Sequence, residues 1–266
     1  QTTLEAVSIS HNQKISKEEL ALTAQVSPDA NIDFILKEYQ SLPLHEKSTA
    51  GAYKLLSKIL SSRRSSVDVD ALYEMYLSLK HYGPSPDGAI YAILVDQLCQ
   101  RDLELVRHHG IPYDKDYFEL ALQVVCDGFY SRHLFNSSGP FNQLFRCMIP
   151  RGCIDKAIYV LSIMESCIGS VKDAESFSLL IQIFSSDTVP TFPGQSLEDR
   201  QRHCLYACIQ IFQAFENIVS ILAQKEPRCM EFSEKKCVSV WLSMIDAYFL
   251  LGDVFGACLL YTSDAA

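Results

Sequence analysis

Long apolar runs are missing from this 266-residue chain. The longest, AIYVLSIM at 157–164, is bounded by Lys156 and Glu165. It falls short of the ~18 residues a membrane-spanning helix needs, so the chain reads as soluble, with no membrane partner. Paired C-x-x-C motifs are also absent. The ten cysteines lie mostly in helical apolar patterns, as at Cys99, Cys126, Cys147 and Cys208. They read as small buried hydrophobes rather than a disulfide framework or a zinc site, and no metal or cofactor is expected. Period-two alternation is almost absent, which argues against strands. There is no P-loop, no G-x-G-x-x-G, no G-x-S-x-G and no H-E-x-x-H, so no catalysis is expected. Positive charge is scarce too. A net charge of −9 and a pI near 5.2 argue against a uniformly basic nucleic-acid coat, although a local basic stripe fits within that sum.

What remains is helix, short break, helix. Apolar residues make up 48% and charged residues 21%, which is enough apolar side chain for a core. Residues 1–27 are polar and weakly periodic, predicting a poorly ordered segment or a short helix from Lys17 to Ala24. From Ser27, SPDANIDFILKEYQSL offers a serine cap and a proline in the first turn, with Ile32, Ile35, Leu36 and Tyr39 on one face. Three-and-four spacing then recurs at Tyr53, Leu56, Ile59 and Leu60, and at Leu72, Met75, Tyr76 and Leu79. Breaks fall at HYGPSPDG (81–88), HHGIPYD (108–114), NSSGP (136–140) and DTVPTFPGQS (187–196).

Two stretches share a pattern. Behind Phe141, Gly152 follows at 11 residues, Ala157 at 16 and Met164 at 23. Behind Trp241, Gly252 and Ala257 repeat the first two offsets. In a helix hairpin the front aromatic packs inward. The glycine stops the first helix in a left-handed conformation, and the alanine lets the second helix cross closely. One hairpin cannot bury its own apolar face, so hairpins stack. Aromatics opening further first helices are Tyr53, Tyr91, Tyr117 and Phe177, with helix B shortened after Tyr91 and Tyr117.

These residues resemble the pentatricopeptide repeat family, over roughly residues 50–258. Phe141 to Gly169 matches best, and Trp241 to Ala257 matches over its first half. The Phe177 unit departs after its first helix into a loop near 187–197 and a long helix near 198–225. The resemblance implies an all-α, right-handed superhelical solenoid of stacked antiparallel hairpins over 28–258. It also implies single-stranded RNA binding in a mitochondrion or plastid. In that family a polar residue after the front aromatic and a second one four residues before the next aromatic read one base together. Carried over, these pairs are Asn142 with Asp173, which the family associates with uracil, and Lys54 with Asp87, where only the aspartate fits. Ser178 opens the Phe177 unit; its partner, Cys237, is off-code. Arg63, Arg64 and Arg146 are candidate phosphate contacts, and Lys156 lies on the same expected surface. The family's occasional metallonuclease and deaminase signatures are absent.

Other features carry blander readings. Asp68 and Asp70 precede and open a helix, where acids suit the dipole. His108 and His109 sit beside Gly110 in an expected turn. CLLYTSDAA at 258–266 resembles a translated cDNA adapter, and the chain begins at Gln1 rather than Met. A fragment with a non-native tail at 259–266 is therefore expected. The expectation is an RNA-binding adaptor in organellar RNA processing, stability or translation, with ribonucleoprotein partners. The alternative is a helical-repeat protein scaffold, such as an organellar ribosome or assembly subunit. The acidic balance, the off-code pairs and the uneven repeat lengths favour that alternative.

Overall fold

The computed structural model describes residues 15–27, 30–43, 46, 48–61, 69–82, 86, 88–111, 115–131, 137–168, 173–225 and 234–263. The protein is all-α, with no strand among the described residues. The helices are α1 (Lys17–Gln25), α2 (Ile32–Ser41), α3 (Thr49–Ser61), α4 (Val69–Tyr82), α5 (Gly88–His109), α6 (Tyr117–Tyr130), α7 (Gly139–Met148), α8 (Ile154–Ile168), α9 (Ala174–Ser185), α10 (Leu197–Lys225), α11 (Glu234–Leu250) and α12 (Val254–Ser263). A short 3-10 turn, Ile149–Arg151, extends α7. The chain divides into two units, Gln1–Gln97 and Leu98–Ala266.

In the first unit α1 packs on α2 and α3, and α3 packs on α4. Ile35, Leu36, Leu55, Leu56, Leu72 and Tyr76 are all buried, as their three-and-four spacing requires. The short helix expected from Lys17 to Ala24 is α1, Lys17–Gln25, which is anchored by a capping box. Ser16 Oγ accepts from Glu19 N–H, and Glu19 accepts from Ser16 N–H, each at 3.1 Å. The expected serine cap of α2 at Ser27 is corrected to Asn31. Its Oδ1 accepts from Phe34 N–H at 3.1 Å, so the helix begins four residues later.

In the second unit α7 packs on α8, α9 on α10 and α11 on α12. Across these pairs, α7 packs on α9 and α9 on α11. Phe177, Ile181, Cys208, Phe212, Phe215, Val240 and Met244 form one core, with the Phe212 and Trp241 rings edge-to-face at 4.8 Å. Gly152 and Gly252 both take left-handed φ, +58° and +87°, at the ends of their first helices. Ala157, Ala257 and Met164 are buried.

Four expectations need correction. Trp241 does not open its helix, because α11 begins at Glu234 and the residues between continue it. No shortened helix B follows Tyr91. Nothing between Gly88 and His109 breaks the chain, so α5 runs on for 22 residues until Gly110 (φ +70°). His108 and His109 are not in a turn but are the last two residues of α5. Finally, α10 is long and apolar enough to cross a membrane by length and composition alone, although Gln and Glu interrupt every apolar run in it. Its Cys204, Cys208, Phe212 and Phe215 face is spent in the core of the second unit.

Candidate nucleic-acid interface

The best-matching pair, Asn142 and Asp173, is brought together at one end of the α7–α9 contact. Pro140 sets the first turn of α7, and Asp173 caps α9 by accepting from Ser176 N–H at 2.8 Å. Asn142 Nδ2 donates to Asp173 Oδ1 at 3.2 Å and Oδ2 at 3.3 Å. Ser176 Oγ lies 2.7 Å from both Asn142 Oδ1 and Asp173 Oδ1, and Ser138 Oγ donates to Asp173 Oδ2. Asn142 is only 2% exposed, so both ends of its amide are engaged inside the protein. Burial raises the Asp173 pKa. Hydrogen bonds from the Ser138 and Ser176 hydroxyls, Ser176 N–H and Asn142 outweigh that and hold the carboxyl below its usual range.

Three cations on or after α7 each face a carboxylate; Arg146 lies one turn from Asn142, whereas Arg151 and Lys156 lie past the far end of α7. Arg146 pairs with Glu175 and donates to Gln143 Oε1 at 2.9 Å. Lys156 pairs with Glu119 and sits 5.2 Å over the Phe118 ring. Arg151 makes a two-pronged pair with Asp102 at 2.8 and 2.9 Å, and its guanidinium lies 5.0 Å over Phe118. Beside Asn142, Arg146 is outnumbered by the Glu175 and Asp173 carboxylates, so the surroundings of the pair are acidic rather than basic.

The remaining predicted residues do not join this cluster. Ser178 is buried in the α9–α11 seam, 2.8 Å from Ser243 Oγ and 3.1 Å from Gln182 Nε2. Lys54 is exposed on α3 in the first unit. Asp87, Arg63 and Arg64 lie outside the described residues, as does the side chain of Tyr53.

Sequence reasoning missed two buried carboxylates that each reach from one helix to the N-terminal end of a later one. Glu19 of α1 accepts from Ser48 N–H and Ser48 Oγ, both at 2.6 Å, at the start of α3. Gly51 leaves room for it, since a Cβ there would meet the Glu19 carboxylate 2.1 Å away. Asp102 of α5 accepts from Phe118 N–H in the first turn of α6 at 3.1 Å. The S-x-x-E spacing of Ser16 and Glu19 was a readable signal, whereas nothing local marked Asp102.

Among the described residues no group of three His, Cys, Asp or Glu side chains is placed to hold a metal ion, and none of the described cysteines is in a disulfide. Burial pushes the Cys208 thiol up to about 12 and raises Cys204. A thiol so displaced from thiolate is a poor ligand or nucleophile. No protein-family model matches the chain, and no curated protein matches it.

Proposed function

We propose that the chain is a pentatricopeptide-like adaptor whose hairpins stack as a right-handed solenoid and bind single-stranded RNA along the first-helix edge. One observation carries this reading. Asn142 and Asp173, 31 residues apart in sequence, meet at neighbouring helix starts, where the amide and the carboxylate are bonded to each other. A base edge needs such a donor and acceptor. On this reading Asn142 Nδ2 turns from Asp173 to a base carbonyl, and the Asp173 carboxylate accepts from an imino N–H. Uracil presents both groups. Arg146, Arg63 and Arg64 supply phosphate contacts, Lys54 and Asp87 are a second base-reading pair, and the adaptor performs no chemistry of its own. A role in processing, stability or translation of organellar transcripts, in a mitochondrion or plastid, rests on the family resemblance alone. No membrane role is proposed; the Cys204, Cys208, Phe212 and Phe215 stripe of α10 is packed in the core of the second unit.

Titration of the full chain against mixed-sequence single-stranded RNA at two salt concentrations tests this. The expected result is salt-sensitive binding that Asn142→Ala weakens by about tenfold, the scale of one base contact. Absence of salt-sensitive binding rejects it. The second reading, a protein–protein scaffold, is favoured by two observations: the neutralised cations Arg146 and Lys156, and the burial of Ser178 against α11. It predicts no RNA binding at either salt.

A further inference from the structure

Two of the Arg–carboxylate pairs within the second unit differ in their settings. Arg151 and Asp102 have side chains 8% and 0% exposed. Neither can leave without stranding a buried charge, so that pair is fixed. Arg146 and Glu175 are 38% and 46% exposed, and water stands ready to replace either partner. Glu175 does more than hold Arg146. While Oε1 meets the guanidinium, Oε2 lies 3.5 Å from Asn142 Nδ2. Asn142 and Arg146 are one helical turn apart on α7, so one carboxylate of α9 reaches both. These are the residues that the RNA reading assigns to base and phosphate, and a phosphodiester oxygen would engage the guanidinium much as the carboxylate oxygen does.

We propose that Glu175 is a built-in competitor for RNA, so that binding proceeds by exchange of its carboxylate for a backbone phosphate on Arg146. This rests on the RNA reading above. It makes Glu175 a negative determinant of affinity that acts through Arg146, not merely one more negative charge on an acidic protein.

The test uses the full chain and a mixed-sequence single-stranded RNA oligonucleotide, with four proteins: wild type, Glu175→Gln, Arg146→Ala and the double variant. Glutamine keeps the length and an acceptor oxygen while removing the charge. The expected result is about fivefold tighter binding by Glu175→Gln, the worth of an exposed ion pair. In the Arg146→Ala background the same substitution should change affinity by less than about twofold. Equal or weaker binding by Glu175→Gln, with wild type still binding in a salt-sensitive way, overturns the competitor role and leaves the RNA reading standing. A gain of the same size with and without Arg146 also overturns it, since general repulsion then suffices. Failure of all four proteins to bind RNA overturns both.

Discussion

The turns joining α7 to α8 and α11 to α12 use the same sequence device and are closed by different means. Aligned on their glycines, Phe141, Arg151, Gly152, Cys153 and Ala157 correspond to Trp241, Leu251, Gly252, Asp253 and Ala257. The second turn is closed locally. Asp253 Oδ1 accepts from Gly256 N–H at 2.9 Å to cap α12, and Asp253 N–H reaches back to Tyr248 O at 2.8 Å. Nothing lies within 4 Å of where a Gly252 Cβ would stand. The first turn has cysteine where the second has its aspartate cap, and it is closed by distant residues. Arg151 reaches Asp102, and the hydroxyls of Ser186 and Thr188 donate to Ile149 O at 3.1 Å. A Cβ on Gly152 would stand 2.5 Å from Thr188 O. A recurring glycine therefore records a shared backbone need, while its surroundings decide how much depends on it.

The largest effect is expected where the first turn depends on a remote charge. Arg151→Ala strands Asp102 in the interior and should cost about 3–5 kcal/mol in urea unfolding. Pairing Arg151→Leu with Asp102→Asn, which copies Leu251 and keeps an acceptor for Phe118 N–H, should cost less than half as much. A double variant as unstable as Arg151→Ala would show that the ion pair itself, not the stranded charge, holds the turn. Next come the glycines. Gly152→Ala combines left-handed strain with displacement of the Thr188 backbone and should cost about 3 kcal/mol. Gly252→Ala carries the strain alone, about 1 kcal/mol. Equal costs at the two sites would break the comparison.

The smallest expected effect separates the Asp173 cap, which is tied to a neighbouring helix, from the local Asp253 cap. The folded-state pKa of Asp173 is depressed, so it binds its proton later in the folded chain than in the unfolded one. Its contribution is fully present above the ordinary carboxylate pKa of about 4 and is lost as pH falls through the lower folded value. Asp173→Asn should flatten the acid limb of a stability–pH profile. An unchanged acid limb would show that the Ser138, Ser176 and Asn142 hydrogen bonds do not favour the ionised form.

Helix content, the α7 and α11 stop signals and the buried alanines were legible because each is a local demand. Three-and-four spacing buries one face, and only glycine takes positive φ cheaply. The start of α2 was misread because Ser27 and Asn31 are both competent caps and the sequence does not rank them. Tyr91 was credited with a vestigial second helix because a repeat was expected there, yet 88–109 holds no breaker. The meeting of Asn142 with Asp173 followed from repeat logic. Its cost to Asn142, an amide with both ends engaged, did not, because Ser176 and Glu175 look like ordinary first-turn residues.

By itself the sequence determined that this chain is helical, where most helices end and which stripe of each is apolar, because those choices are made within a turn or two of backbone. Only the tertiary structure decided that Glu19 and Asp102 are buried helix ties, that Ser178 faces α11, and that Arg146 and Arg151, five residues apart, meet different fates. Whether a charge is fixed or exchangeable depends on how much water its partner retains, and that is set by neighbours distant in sequence.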